Sequence, residues 1–131
     1  MKFRYKKYGP GIIRPVIPVE LTANGVAVPY EVLVDSGADM CVFDAQIAEV
    51  LGIDVKAGER SELSGATGYV QPFYIYPVSI AVGGWEHTIK VGFLPNIAKT
   101  GYGIVGQKGF FDIFIVKFDY RKEEIELKER N

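Results

Sequence analysis

Apolar and polar residues alternate along this chain in short runs, and few of the runs carry the three-to-four-residue beat of a helix. Residues 16–22 and 26–34 read as strands. Asn24-Gly25 between them predicts a tight hairpin, because both residues tolerate positive φ. Residues 40–43 continue extended. Asp44 then reads as the N-cap of a short helix over 45–51, with Ile47, Val50 and Leu51 on its apolar face and Gly52 as its stop. Residues 61–73 read as a hairpin with a mobile, Gly-rich tip of Gly65, Ala66, Thr67 and Gly68. Strands over 73–82 and 87–94 follow, joined across Gly83-Gly84. Gly103-Ile104-Val105-Gly106 predicts a buried strand that ends where another backbone passes close by, and the next residues suit one helical turn. Residues 112–118 and 125–127 are the last strands, separated by the polar turn 120–123. Many short strands at a spacing of roughly 8–12 residues predict an all-β fold, a small barrel or sandwich.

One carboxyl interrupts this pattern. The stretch Val32-Leu33-Val34-Asp35-Ser36-Gly37-Ala38-Asp39 places Asp35 directly after three β-favouring apolar residues. Burying an ionised carboxylate costs several kcal/mol unless it is paired or protonated. Gly37 lets the backbone turn sharply and come close to a ligand. The strand therefore delivers one carboxyl, on a tight turn, to a place where its surroundings can tune it for acid–base chemistry. Asp-Ser-Gly is also an ordinary turn sequence, so the tripeptide alone does not assign a function.

Composition narrows the classes. A chain of 131 residues, 48% of them apolar, is sized for one domain over 1–131 with a packed core. Fifteen basic against sixteen acidic residues leave no strong nucleic-acid footprint. No apolar run approaches the ~20 residues of a membrane-spanning helix. The start, Met1-Lys2-Phe3-Arg4, lacks the apolar stretch of a signal peptide. A single Cys rules out an intrachain disulfide. The expectation is a soluble cytoplasmic protein with neither nucleic acid nor membrane as partner. Lys2, Arg4, Lys6 and Lys7 alternate loosely with Phe3, Tyr5 and Tyr8. This reads as an edge strand whose lysines discourage aggregation, in preference to a surface for an anionic partner or membrane.

Other chemistries lack the residues. His87 is the only histidine, and it lies in a predicted hairpin strand far in sequence from any nucleophile elbow. Cys41 with His87 is the one thiol–imidazole combination available, but Cys41 stands between Met40 and Val42, where a free Cys reads as packing. One Cys and one His cannot build a zinc site without carboxylates, and no spacing points to one. The Gly-rich tip lacks the Lys-Ser/Thr of a phosphate-binding loop.

Several marks then line up: apolar residues closing in Asp35-Ser36-Gly37-Ala38-Asp39, the Gly-rich hairpin, Ile104-Val105-Gly106 with its helical turn, and an apolar strand before a short last one. Over residues 12 to 128 the chain resembles the retropepsin-like aspartic proteases, retroviral and cellular single-domain. The resemblance implies a small closed β-barrel of retropepsin type, with one or two short helices, working as a homodimer. Asp35 would be the catalytic aspartate. Ser36 would brace the active-site loop across the dimer, and Gly37 would hold substrate through its backbone. Asp39 would bind the substrate main chain. Residues 61–73 would form the flap, with Gly65, Ala66, Thr67 and Gly68 at its tip. Ile104-Val105-Gly106 would be the turn on which the active-site loop packs.

The implied activity is aspartic endopeptidase. Water would be activated between the two Asp35 carboxyls of a homodimer, on an extended peptide or protein substrate, without metal or cofactor. The alternative is an inactive module of the same fold that dimerises or binds peptides. One departure stands out. Retroviral members usually carry Arg after that Gly, paired with the carboxylate that Asp39 matches; here Gln107 stands there with Lys108 beside it.

Overall fold

The computed structural model describes residues 1–64, 70–95, 97 and 101–130, without the side chains of 63, 64 and 70–72. The predicted hairpin tip, Gly65 to Gly68, lies outside the described residues. Twelve strands run in chain order among the described residues. They are β1 (Lys2–Arg4), β2 (Lys6–Gly9), β3 (Ile12–Arg14), β4 (Val16–Ala23), β5 (Val26–Val34), β6 (Cys41–Asp44), β7 (Glu59–Ser64), β8 (Val70–Val82), β9 (Trp85–Leu94), β10 (Gly103–Val105), β11 (Phe114–Asp119) and β12 (Glu124–Glu129). One short helix, α1 (Ala45–Val50), and a tighter helical turn at Val55–Ala57 complete the list. Neither is long enough to cross a membrane.

Six strands close a barrel in the order β4-β5-β10-β6-β9-β8, and the pairing of β8 back onto β4 shuts the ring. Two of the contacts are parallel, β5 with β10 and β6 with β9; the others are antiparallel. Period-two alternation fills the interior. Ile17, Val19 and Leu21 of β4 point in while Pro18 and Glu20 point out, and Val32 and Val34 of β5 are buried. Phe43, Ile80, Val82 and Val105 complete this part of the core.

Most of the expected local signals act where the sequence places them, but on the expected apolar face of the helix Leu51 is buried, Ile47 half-buried and Val50 exposed, with Ala48 buried instead. Asn24 and Gly25 take φ of 52° and 74° in the β4–β5 hairpin. The Asp44 carboxylate accepts the Gln46 N–H at 2.8 Å and caps α1, which ends at Leu51 and Gly52, the latter at φ 67°. Other boundaries differ. The second arm of the hairpin and the strand expected after it are one continuous strand, β8. One edge of β8 pairs with β7 near its start and with β4 near its end. No regular helix follows Gly106. Wide turns from Phe111 N–H to Gly106 O and from Asp112 N–H to Gln107 O precede a single turn from Phe114 N–H to Phe110 O.

The expected N-terminal edge strand divides in two: residues 2–4 form one, whereas Lys6 and Lys7 lie in β2 of a separate sheet. β1 lies outermost in a three-stranded sheet, β1-β12-β11, with Lys2 and Arg4 exposed. Phe114, Ile125 and Leu127 of that sheet are buried in the same core as the barrel. The hairpin β2–β3 forms a separate two-stranded sheet that the sequence pattern does not announce.

Candidate active site

Strand alternation decides where Asp35 goes. Val32 and Val34 face the core, so Asp35 falls on the opposite face with Leu33, and it is half-buried. Ile104 is the register partner of Leu33 and shares that face. Main-chain bonds grip the strand end from both sides. The Asp35 N–H donates to Val105 O at 3.0 Å, and the Val34 N–H donates to Pro15 O at 2.9 Å.

The chain then turns. The Gly37 N–H donates to Asp35 Oδ1 at 2.9 Å, and the Ala38 N–H donates to Asp35 O at 3.2 Å. A Cβ on Gly37 would stand 3.3 Å from that carboxylate oxygen, so the position favours glycine. Ser36 and Asp39 are exposed on the same turn. Asp35, Ser36, Gly37 and Asp39 are thus brought together, within five residues. Gly65, Ala66, Thr67 and Gly68 cannot be placed relative to them, because they lie outside the described residues.

The far wall of the turn is the segment after β10. Gly106 passes so close that a Cβ would stand 2.5 Å from Met40 O and 2.6 Å from Ala38 O. The contact is zipped by Gln107 N–H to Ala38 O at 2.9 Å and Lys108 N–H to Asp39 O at 3.0 Å. Gln107, the departure seen in the sequence, has a definite job: its Nε2 donates to Ser36 O at 2.8 Å. It braces the turn through main chain rather than through the Asp39 carboxylate, which makes no ion pair among the described residues. That substitution was visible in the sequence; its partner was not.

Cys41 and His87 do not act together. The Cys41 thiol is buried under Gly109, donates to Lys108 O at 3.5 Å, and is pushed up to about 11, chiefly by burial. His87 sits edge-on to Phe114, with Nε2 2.9 Å from Glu129 Oε2 but off the line of a hydrogen bond. Among the described residues no group of three His, Cys, Asp or Glu side chains could hold a metal ion.

A small closed barrel carrying one Asp-Ser-Gly turn against an Ile-Val-Gly strand end is a retropepsin-like architecture. The chain is similar to the crystal structure of a retropepsin-like aspartic protease from Rickettsia conorii. That match has a TM-score of 0.67 and 16% identity, and covers 97% of this chain and 88% of that one. EIAV protease, solved with the inhibitor HBY-793, matches at a TM-score of 0.46 and 24% identity, over 72% of this chain and 82% of that one. No curated protein matches the chain in sequence. The Aspartyl protease family model matches residues 19–108. This protein belongs to the aspartyl protease family.

Proposed function

We propose that this protein is an aspartic endopeptidase that works as a homodimer, with residues 1–131 as one catalytic domain. The observation that carries the reading is the presentation of Asp35. It is held at its main chain by Val105 O, turned by Gly37, and half-buried on the face of Leu33 and Ile104. The chain has one Asp-Ser-Gly segment, whereas the chemistry needs two facing carboxyls, so a second copy supplies the other across a two-fold axis. Two carboxyls that close cannot both ionise and share one proton.

In this mechanism the ionised carboxylate takes a proton from a water held between the pair. The protonated partner hydrogen-bonds the scissile carbonyl oxygen. The water oxygen bonds to the carbonyl carbon and gives a tetrahedral species. The C–N bond then breaks, the electron pair leaves with nitrogen, and the amine takes a proton from the dyad. Gly37 and Asp39 hold the substrate main chain, Ser36 braces the turn across the dimer, and Gly65, Ala66, Thr67 and Gly68 cover the substrate. Neither metal nor cofactor takes part. A cytoplasmic location belongs to the same reading, in keeping with the free, buried Cys41.

The test combines mass and cleavage. Sedimentation at micromolar protein should give about twice the 14.5 kDa chain mass. An unfolded protein substrate should be cut at mildly acidic pH by the natural chain and not by Asp35→Asn. Absence of cleavage by both, with the dimer present, would hand the lead to the peptide-binding module.

A further inference from the structure

Two main-chain carbonyls hold the end of β5. Pro15 O takes the Val34 N–H, and Val105 O takes the Asp35 N–H. These carbonyls belong to segments on opposite sides of β5, since β4 and β10 flank it in the sheet. A strand end gripped from both sides keeps its place only while the two sides keep their spacing. The hairpin β2–β3 supplies a tie between them.

The Arg14 guanidinium donates to Tyr102 Oη at 2.6 Å, a short, charge-assisted bond. The same guanidinium lies over the Tyr8 ring, 5.4 Å from its centroid, and Tyr8 stands edge-on to Tyr102 at 5.7 Å. Lys6 of the hairpin pairs with Glu31 of β5. The hairpin therefore reaches β4 through Pro15, β5 through Glu31, and the start of β10 through Tyr102. Both ends of the tie are stiff. Arg14 is joined directly to Pro15, whose ring fixes φ, so a shift of Arg14 passes on to Pro15 O. Tyr102 is buried and is joined to Gly103, where a Cβ would stand 2.6 Å from the Tyr30 ring and 2.8 Å from Phe43. That wall has no room to give. Arg14 makes no ion pair among the described residues.

We propose that Arg14 and Tyr102 are positioning residues for Asp35: their bond ties together the two segments whose carbonyls hold the end of β5, and so fixes where the carboxyl stands. The inference rests on the peptidase reading for its effect on rate; the tie itself does not.

Activity and amide exchange test it separately. Tyr102→Phe keeps the ring and removes the acceptor, and Arg14→Met keeps the stem and removes the donor. Each should lower kcat about tenfold while KM stays within about twofold, since the turn that carries Gly37 and Asp39 keeps its own bonds to Gln107 and Lys108. The double variant should be no slower than either single one, because both changes cut the same tie. Arg14→Lys, which keeps a donor but not the planar fork, should fall between. The exchange measurement needs no cleavage. Hydrogen exchange at the Val34 and Asp35 amides should quicken about tenfold in both single variants, while Ile80 and Val91 in the barrel core keep their natural rates. Faster exchange at Val34 and Asp35 with no cleavage by the natural chain would keep the tie and sink the peptidase. Unchanged exchange there, an equal rise across the barrel, a rise in KM with kcat unmoved, or additive losses in the double variant would each overturn the proposal.

Discussion

Gly106→Ala isolates the contact on which the Asp35 turn is built. A methyl at this position would sit 2.5 Å from Met40 O, 2.6 Å from Ala38 O and 2.9 Å from Met40 C. These are backbone atoms, which cannot rotate away as a side chain would. Ordinary contact begins near 3.4 Å, so the two segments must part by about an ångström. That separation breaks or stretches the bonds from Gln107 N–H to Ala38 O and from Lys108 N–H to Asp39 O. Overpacking of this kind costs about 1–3 kcal/mol, and each lost bond adds about 1 kcal/mol. Reduced freedom of the unfolded chain returns about 0.4–1 kcal/mol. The net expectation is a loss of about 2–4 kcal/mol. Urea unfolding reads it directly, and Tm should fall by roughly 10 °C for a chain this size. Gln107→Ala, which removes only the side-chain brace, should cost about 1 kcal/mol or less. A Gly106→Ala protein within about 0.5 kcal/mol of the natural chain would refute the close-passage account.

Three further outcomes are expected. Asp35→Asn should abolish peptide cleavage while folding is retained and dimerisation persists or strengthens, since facing like charges repel; cleavage assays and sedimentation check both halves. Burial raises the Cys41 thiol from 9.0 to about 11, so its contribution is intact below pH 9 and is lost as pH rises toward 11. Between pH 8 and 11 the natural chain should lose about 2–3 kcal/mol more than Cys41→Ala in urea titrations; Tyr30, raised to about 12 by burial, affects both proteins alike. Gly103→Ala should destabilise by about 1–3 kcal/mol, because its Cβ would stand 2.6 Å from the Tyr30 ring and 2.8 Å from Phe43, and thermal unfolding measures it.

The parts of the fold legible in the sequence were those with a local cause. Asn24-Gly25 announces its hairpin because few residue pairs accept φ of 52° and 74°. Asp44 announces α1 because its carboxylate caps the Gln46 N–H. Gly106 marked a close passage because a glycine ending an apolar strand leaves room for another backbone. Closure of β8 onto β4, and the parallel pairs β5–β10 and β6–β9, have no local signature, since they join residues far apart in sequence. The hairpin β2–β3 lacks a sequence signature for a different reason. Its charged and aromatic residues are held by partners outside it, with Lys6 on Glu31 of β5, Arg14 NH1 on Tyr102 Oη at 2.6 Å, and Tyr8 edge-on to Tyr102. Little apolar patterning was needed to hold it.

Asp35 and Asp39 are supported in different ways. Asp35 is positioned by main-chain groups of Pro15-Val34, Val105 and Gly37, so its placement depends on the barrel closing and not on any one side chain nearby. Asp39 depends on what stands at position 107. An Arg there would offer a rigid fork to a carboxylate; Gln107 has a neutral amide, shorter reach, and spends its N–H on Ser36 O. The exchange therefore shifts support from the carboxylate at 39 to the backbone at 36, three residues nearer Asp35. On the proposed dimeric reading, a braced Asp-Ser-Gly turn favours catalysis, because a carboxyl that must meet its copy cannot wander. On the same reading, the Asp39 carboxylate, which makes no ion pair among the described residues, is the one proposed to accept substrate N–H groups. The departure from the retroviral pattern is thus compatible with a working peptidase whose loop is braced through its backbone.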